Sequence, residues 1–400
     1  MISRIYYTYR FRIYPNKAQR EYLARVFGCA RYIYNWAKEL RSSTYEETGE
    51  TLSVRDTQRR LTQYKKQDEV SWLNNVSNAP LQQALADLGR AYTNFFKGRA
   101  KYPRFKRKRS RQSARFVGSS FKLIATPYGP KLHLARMPRG PKIKVNWHRP
   151  MDEDVSSCTV VQESDGSYYV TCVTERAMPK LPRTNAAVGI DLGLTDAIVT
   201  SDRWKSGNPR FLRQAQQRLK REQRSLSRKK VGSNRWRRQK KRVARAYAKV
   251  KSARRTWIHK QTTRIVEKYD VICVETLGVK NLMRNHCLAF SIGDVAWSEI
   301  VRQLEYKSGW YGKELVKIDR FFPSSKTCSA CGHERDQLPL SVRQWTCEEC
   351  GAEHDRDFNA AQNICRVGLT LTGSLLASKA RGQCVRPCEA PNSRAVLDEA

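Results

Sequence analysis

The chain has 400 residues, and its 76 Lys and Arg outnumber its 37 Asp and Glu, which gives a formal net charge of +39. The length suggests two or three domains, and so large a positive excess indicates a polyanionic partner, most simply nucleic acid. No apolar run of about 18 residues occurs, so we expect no transmembrane helix, and we read no signal peptide. Eight of the twelve cysteines lie outside two CxxC pairs at scattered spacings, which favours a reducing cytoplasm over a disulfide framework.

The N-terminal part of the sequence predicts one strand followed by three helices. Residues 4–14 alternate apolar and polar side chains, which indicates a strand that ends at Pro15. Asn16 caps the next helix, a second polar helix is expected near residues 54–66, and Pro80 opens a third.

Strands return after these helices. They are predicted at residues 142–147, 155–162 and 168–174, and the last two are joined by a hairpin turn at Asp165-Gly166. The first strand of the chain can join this sheet. The pattern therefore predicts an N-terminal β domain into which the three helices are inserted.

Residues 97–115 contain ten basic residues and no acid, with Tyr102, Phe105 and Phe116 interleaved or adjacent. This composition suits phosphate contacts combined with stacking on bases, although a solvated run of charges is the alternative. The candidate nucleic-acid contacts here are Lys97, Arg99, Lys101, Arg104, Lys106, Arg107, Lys108 and Arg109.

A second basic region is predicted to be a helical hairpin over residues 208–268. Between Lys205 and Lys260 there are 22 Lys and Arg and one acid, Glu222. Such a surface would repel itself unless an anion lay against it, so we expect a nucleic-acid backbone there rather than free solvation. The candidate contacts are Arg228, Lys229, Lys230, Arg235, Arg237, Arg238, Lys240 and Lys241.

Two apolar strands each end in an acid. After a proline-containing linker at residues 177–185, residues 186–191 form a strand that ends at Asp191, and residues 270–275 form a buried strand that ends at Glu275. Each acid taken alone is more often a turn residue than a functional one. Beyond them the sequence predicts a polar loop over residues 278–294, a helix over 295–311 and a strand over 315–318.

Four cysteines form two CxxC pairs separated by fifteen residues: Cys328, Cys331, Cys347 and Cys350. Two such knuckles supply the four thiolates of a closed tetrahedral zinc site, which is structural because no position is left for water. The alternatives are chance placement or disulfides, and the reducing environment argues against the second.

A third acid follows the cysteines at the start of a predicted helix. Ala360, Ala361 and Ile364 recur at helical spacing, so Asp357 lies in the first turn, where a carboxylate is favoured. Asp355 is two residues away and must point elsewhere, so only one of the two acids can share a site with others. An ordinary acidic helix cap is the alternative interpretation.

Asp191, Glu275 and Asp357 would suit phosphodiester hydrolysis if they converged. Magnesium prefers oxygen ligands, and two Mg²⁺ ions about 4 Å apart activate water and stabilise the leaving oxygen. The residues alone do not establish that the three acids meet.

The ordered motifs resemble those of TnpB, the transposon-encoded relative of type V CRISPR effector nucleases. The resemblance includes VGIDLGL, VETLGVKNL, CSACG with CEECG and HDRDFNAAQN, as well as YRFRIYPNKAQ, LEYKSGWYGKEL and FFPSSKTC, and it extends to about residue 367. It implies a metal-dependent endonuclease, guided by an RNA from the transposon end, that cuts double-stranded DNA beside a short adjacent motif. It also implies a monomeric protein in a ribonucleoprotein, located in the cytoplasm and on the nucleoid.

By motif, the resemblance places the catalytic, magnesium-binding acids at Asp191, Glu275 and Asp357 rather than Asp355. It makes the four cysteines of the CxxC pairs the ligands of one structural zinc ion. The basic hairpin would line the duplex channel.

The implied fold class is multidomain α+β: a β-barrel wedge domain with an inserted helical domain, then an RNase H-like RuvC α/β domain with an inserted four-cysteine zinc module. The expected bounds are 1–15 and 97–180 for the wedge, 16–96 for the helical recognition domain, 186–327 and 354–369 for RuvC, and 328–353 for the zinc module. Residues 370–400 are expected to be a disordered tail, in which CVRPC is a weak candidate metal motif.

Two other functions remain open on the sequence. A catalytically limited RNA-guided DNA-binding protein would keep the basic surfaces, but it would lose acids that this chain retains. An RNase H-like transposase would use a similar acid trio, but the cysteine insert and the separate N-terminal half favour the TnpB-like interpretation.

Overall fold

The computed structural model describes residues 3–109, 111–127, 129–151, 153–339 and 341–372. The chain divides into two compact units. We call residues 4–177 with 231–244 the N-terminal unit, and residues 178–230 with 245–372 the C-terminal unit. The finer domain bounds expected from the sequence stay a prediction.

The N-terminal unit combines a seven-stranded, nearly closed, barrel-like sheet with three α-helices. Its elements are β1 (Ser3–Tyr14), α1 (Lys17–Thr48), α2 (Val54–Tyr64), α3 (Asn78–Phe96), β2 (Gln112–Val117), β3 (Phe121–Ile124), β4 (Lys131–Leu134), β5 (Ile143–Asn146), β6 (Val155–Gln162) and β7 (Tyr168–Met178). The strand order is β2-β6-β7-β1-β5-β4-β3. The predicted strand, the three helices and the β6–β7 hairpin are confirmed.

One hydrophobic core joins the sheet and the helices of this unit. Alternate residues of β1 (Tyr9, Phe11 and Ile13) are buried in it together with the apolar stripes of α1 and α3. At the start of α1, the side chain of Asn16 accepts from the backbone of Gln19, and the side chain of Gln19 accepts from the backbone of Asn16. This capping box satisfies two backbone donors that the first helical turn leaves free.

The C-terminal unit is built on a four-stranded sheet. Its elements are β8 (Ala187–Asp191), β9 (Val199–Thr200), α4 (Phe211–Ser227), α5 (Asn234–Lys268, which begins in the other unit), β10 (Val271–Glu275), α6 (Val279–Leu282), α7 (His286–Val295), α8 (Trp297–Tyr311), β11 (Glu314–Ile318), β12 (Gln344–Thr346), β13 (Glu353–Asp355) and α9 (Arg356–Thr372). The order is β11-β10-β8-β9, with β10 parallel to both β8 and β11 and β9 antiparallel to β8. β12 and β13 form a separate antiparallel ribbon.

Helix α9 lies directly against this sheet because two glycines permit the close approach. A Cβ built on Gly189 of β8 would lie 1.9 Å from the carbonyl oxygen of Ala361, and one on Gly368 of α9 would lie 2.3 Å from Sγ of Cys273. Since real side chains do not approach so closely, only glycine lets the helix pack at this depth. This packing places the first turn of α9 near the end of β8.

The predicted loop over residues 278–294 was wrong. Helices α6 and α7 occupy most of it, and Leu288, Ile292 and Val295 face the core at helical spacing. The predicted single helix over 295–311 is also interrupted at Ala296, which has φ 61°. Helix α7 therefore ends at Val295, and α8 begins at Trp297.

At the other end of α9, the helix continues through Thr372, so the expected tail does not begin at residue 370. Residues 373–400, and with them CVRPC, lie outside the described residues. Among the described residues, no helix is both long and apolar enough to cross a membrane.

Candidate active site and metal centre

Asp191 and Glu275 end adjacent parallel strands. Ile190 of β8 is paired with Val274 of β10, so the two acids that follow are neighbours at the carboxyl edge of the sheet. The carboxylate of Glu275 also accepts a hydrogen bond from the backbone N–H of Leu192, the residue after Asp191. The end of a parallel strand pair is where α/β sheets usually present ligand-binding groups.

The carboxylate of Asp357 reaches the same edge from the first turn of α9. Burial raises the pKa of Asp191 well above its usual range, and the nearby charges of Glu275 and Asp357 raise it further. Burial likewise raises the pKa of Glu275 to about 7, against the opposing hydrogen bond from Leu192. Like charges held this close favour protonation or a bound cation. The structure therefore brings the three predicted acids into one electrostatic cluster.

Arg343 is a part of this cluster that sequence reasoning missed. Its Nη1 lies 3.0 Å from Oδ1 and 3.3 Å from Oδ2 of Asp357. Arg343 immediately precedes β12, so its position depends on the cysteine-bearing insert folding back onto α9. The sequence carries no local signal for this pairing, because the two residues are fourteen positions apart in different elements.

Asp355 has a different environment from Asp357. Its Oδ1 accepts from the backbone N–H of Phe358 at 3.0 Å, which caps the start of α9, and its Oδ2 pairs with Nζ of Lys205 at 3.1 Å. Burial raises the pKa of Asp355, but the hydrogen bonds from Phe358 and Lys205 outweigh this effect and lower it. Asp355 therefore serves as the helix cap, and Asp357 is the acid beside Asp191.

The four predicted cysteines come together. Their sulfur atoms all lie within 4.8 Å of one another, with 3.7 Å between Cys328 and Cys350 and 3.6 Å between Cys331 and Cys347. A tetrahedron with Zn–S bonds of about 2.3 Å has S–S edges of about 3.8 Å. The cluster therefore has the ligand type and spacing of one tetrahedral zinc ion.

Two asparagines connect the cysteine cluster to α9. Nδ2 of Asn359 and Nδ2 of Asn363 donate to the carbonyl of Thr327 at 2.8 and 2.6 Å, and Oδ1 of Asn359 accepts from the backbone N–H of Ser329 at 2.9 Å. Both side chains are fully buried. These bonds explain why asparagines recur in the NAAQN segment, a role that the sequence did not suggest. The first knuckle and the helix that carries Asp357 are thereby held as one assembly.

His354 lies beside the sulfur atoms without belonging to the predicted ligand set. Its Nε2 is 3.0 Å from Sγ of Cys328, and its ring packs against Trp345 with centroids 4.7 Å apart. An N–H donor at this distance stabilises a thiolate. The HDRD motif thus supplies a support for the cysteine cluster, the cap of α9 and the third acid.

The predicted nucleic-acid contacts are mostly on the surface. Seven of the eight candidates in residues 97–109 are exposed, and Lys106 is half-buried. In the turn between α4 and α5 and the first turns of α5, all candidates except Lys229 are exposed. The side chains of Gln223 in α4 and Tyr247 in α5 are hydrogen-bonded at 2.9 Å, so the two helices meet at this point. The hairpin itself stays a prediction.

The fold has a counterpart among solved structures. The protein chain in the "Cryo-EM structure of the Cas12f1-sgRNA-target DNA complex" aligns over 90% of this chain and 99% of its own length, with a TM-score of 0.58 and 14% identity. At this identity the likeness concerns the fold alone. It defines the class: an α+β protein with the Cas12f-like arrangement of elements.

Sequence comparisons identify the family. The family described as "Probable transposase" matches residues 160–286, "Cas12f1-like, TNB domain" matches 297–364 and "Helix-turn-helix domain" matches 1–50. A Streptomyces pristinaespiralis protein named "Putative RNA-guided DNA endonuclease" is 41% identical over 97% of this chain and 94% of its own length.

Two further relatives extend the comparison. "Putative RNA-guided DNA endonuclease InsQ" of Escherichia coli is 29% identical over 90% of this chain and 92% of its own length. "TnpB-like protein L79" of Acanthamoeba polyphaga mimivirus is 31% identical over 28% of this chain and 22% of its own length. The chain belongs to the TnpB family.

Proposed function

We propose that this protein is a transposon-encoded, RNA-guided endonuclease that cuts double-stranded DNA beside a short adjacent motif. The observation that carries the proposal is the electrostatic cluster of Asp191, Glu275 and Asp357 at the carboxyl edge of the sheet. The relatives named as RNA-guided DNA endonucleases span almost the whole chain, which supports the same activity here.

The acid cluster fits divalent metal ions. Burial and the neighbouring carboxylates raise the pKa of Asp191, and burial raises the pKa of Glu275, so a bound cation would stabilise the charged form of both. Hard oxygen donors are the ligands that Mg²⁺ prefers. Asp191, Glu275 and Asp357 would hold the ions, as in an RNase H-like RuvC site. Two bound ions supply an activated water and stabilise the leaving oxygen of a phosphodiester.

The protein's own groups set up this chemistry. The strand ends fix Asp191 and Glu275, and the close packing at Gly189 fixes the start of α9. Arg343 is paired with Asp357, and its planar guanidinium would be suited to contact a phosphate if a bound metal ion took its place at the carboxylate. The cysteine cluster would bind one zinc ion whose role is to hold the insert that carries Arg343.

The proposed partners are a guide RNA and target DNA. The exposed basic residues of 97–109 and of the α4–α5 turn offer two polyanion surfaces within one chain. Sequence selection would come from base pairing with the guide, so these surfaces need only recognise backbone and shape.

The test begins with the RNA. The chain is expressed together with the DNA that flanks its gene, purified, and the co-purified RNA is sequenced. We expect one abundant species whose variable end lies outside the element, and DNA matching that end should be cut in Mg²⁺. Recovery of random RNA only, or no cutting of the matched DNA, would overturn the proposal.

The variant Asp191→Ala distinguishes guided cleavage from guided binding alone. This variant should lose cutting while it keeps the guide and binds the matched DNA with wild-type affinity. If wild type and variant both bind but neither cuts, the protein is a guided DNA-binding protein instead. If both cut at the same rate, the site is assigned wrongly.

A further inference from the structure

A cavity of about 280 Å³ in the N-terminal unit lies outside the candidate active site. It is enclosed by α1, α3, the end of the basic 97–115 segment and strand β2. Phe27, Ala30, Pro80 and Ala84 give it an apolar side. Its other side carries six cations: Arg31, Arg90, Lys106, Arg107, Arg111 and Arg115.

The cations of this lining outnumber its acids six to one. Asp87 is the one carboxylate among the lining residues, and it already accepts a hydrogen bond from Arg90. Arg31 donates to the neutral side chain of Gln112 at 3.1 Å. Cations that outnumber the acids around a partly enclosed space are stabilised by an added anion.

Arg115 provides the strongest local sign of a missing acceptor. Its Nη2 donates to Oγ of Ser157 at 3.1 Å, but its Nε is buried and has no hydrogen-bond partner in the described part of the chain. Native structures rarely leave a buried donor of this kind unpaired, because its lost contact with water is not replaced. An oxyanion in the cavity would meet this N–H.

Lys106, in the cavity wall, is held in a defined position by contacts with α1. Oδ1 of Asn35 accepts from the backbone N–H of Lys106 at 2.8 Å, and Nδ2 of Asn35 donates to its carbonyl at 3.0 Å. Its Nζ lies 3.9 Å from the ring centroid of Tyr34. Burial lowers the pKa of Lys106. The charge of Asp87 opposes this effect but does not outweigh it. The ammonium is therefore held in place on an aromatic face where a further anion would stabilise it.

We propose that this cavity binds a single backbone phosphate of the nucleic acid bound by the protein, with Arg31, Arg111 and Arg115 as its principal contacts. The inference rests on the proposed function in that it takes nucleic acid as the partner. A chain phosphate is favoured over a free anion because the exposed Lys108 and Arg109 directly follow Lys106 and Arg107 of the cavity wall in the chain, so a longer polyanion would meet further positive charge.

The test combines a protein change with a change at one phosphate. The double variant Arg31→Gln, Arg111→Gln removes two lining cations, and Arg25→Gln is the control, because Arg25 is exposed on the same helix and does not line the cavity. Single phosphates of the guide RNA and of the target DNA are replaced in turn by neutral methylphosphonates. Binding is measured by titration, without any need for cleavage.

We expect one position at which the methylphosphonate weakens wild-type binding about tenfold but does not weaken binding of the double variant further. The slope of log affinity against log salt should be smaller in magnitude for the double variant than for wild type by about 0.7–0.9, as expected when one phosphate is no longer neutralised. The strand that carries this position, RNA or DNA, identifies the source of the phosphate. Arg25→Gln should show the wild-type pattern. Arg115→Lys should also lose the coupling, because a lysine lacks the Nε donor and the planar guanidinium.

The proposal is overturned if the double variant has the melting temperature of wild type and every methylphosphonate position, in the RNA and in the DNA, weakens binding of the two proteins equally. It is equally overturned if inorganic phosphate raises the melting temperature of wild type but not of the double variant, with no coupling to either strand, since the cavity would then be a free-anion site. Because the assay measures binding, absence of cutting would count against the proposed function and not against this inference.

Discussion

Two acids at the ends of β10, one buried and one half-buried, illustrate opposite uses of a carboxylate. Asp270, just before the strand, pairs with Nζ of Lys313 at 2.5 Å and accepts from the backbone N–H groups of Thr184 and Asn185. Burial raises its pKa, but these partners outweigh burial and the net pKa is lowered. Glu275, at the other end, has no ion pair of this kind among the described residues, and burial raises its pKa to about 7. The first arrangement is structural, and the second is consistent with the metal-ligand role proposed for Glu275.

Asp270→Asn should destabilise the C-terminal unit by about 3–5 kcal/mol at pH 7, because it leaves the buried ammonium of Lys313 unpaired. The folded-state pKa of Asp270 is below its unfolded value, so its contribution is complete above about pH 4 and declines as the pH falls further. Urea unfolding at pH 7 and below pH 4 should show a large difference from wild type that shrinks in acid.

Glu305→Gln is the matched control for Asp270→Asn. It breaks an exposed ion pair of 3.1 Å with Lys317, which should contribute less than about 1 kcal/mol. Equal losses for the two variants at pH 7 would contradict the structural role given to Asp270.

Helix α9 carries the third acid, and its position depends on contact with β8. Gly189→Ala should destabilise the C-terminal unit by about 3 kcal/mol or more, since the new methyl group would meet the backbone of Ala361 and Cys365 rather than a movable side chain. Metal-dependent cutting should fall at the same time, because Asp357 moves with the helix. Thermal unfolding and cleavage rate measure the two effects.

The control for this substitution is another glycine. Gly309 lies inside α8 with nothing within 4 Å of the position where its Cβ would be. Gly309→Ala should therefore be neutral or stabilising by up to about 1 kcal/mol. A Gly189→Ala variant as stable as Gly309→Ala would show that α9 does not pack as described.

The cysteine cluster should contribute folding free energy to the end of the chain. Cys347→Ser removes one of four thiolates, and a zinc ion bound by the remaining three would hold the insert less firmly. Limited proteolysis should then cut between residues 328 and 355 faster than in wild type. Cys287→Ser, at an exposed cysteine outside the cluster, should leave the digestion pattern unchanged; identical patterns for both variants would contradict the metal assignment.

The sequence allowed prediction of those elements whose signals are local. Apolar strands that end in acids, paired CxxC knuckles and a capped helix start each depend on neighbouring residues, and the structure has them at the expected places. Helix α7 was missed because it is only ten residues long, so Leu288, Ile292 and Val295 give less than three turns of helical spacing. Arg343 beside Asp357 and the cavity around Arg115 were out of reach because they depend on tertiary contacts between distant elements.

At the scale of the whole molecule, the formal charge of +39 is concentrated in segments rather than spread evenly. Residues 97–109 and the α4–α5 turn supply two exposed basic surfaces, while the charges of Glu275 and Asp357 act on Asp191 at one edge of the C-terminal sheet. Composition alone predicts the polyanion partner. It does not predict which cations are free, because that depends on pairing in the folded chain.

The α4–α5 turn should dominate the salt dependence of nucleic-acid binding if it binds the backbone. Replacing Arg228, Lys229 and Lys230 by Gln should reduce the slope of log affinity against log salt by up to about 0.9 for each phosphate that the variant no longer neutralises. Replacing Arg4, Lys122 and Lys131, which lie on strands of the other unit, is the charge-matched control. Equal slopes for the two triple variants would remove the turn from the interface.

The most direct measurement of the central claim compares two acids that are two residues apart. Asp357→Asn and Asp355→Asn are each loaded with the same guide, and the rate of cutting of matched DNA is measured in Mg²⁺ under single-turnover conditions. We predict that Asp357→Asn loses at least about a thousandfold in rate, as expected when a catalytic metal ligand is removed. Asp355→Asn should cut within about threefold of wild type, because Asn also caps a helix. Loss of cutting in Asp355→Asn with wild-type cutting in Asp357→Asn would contradict the account.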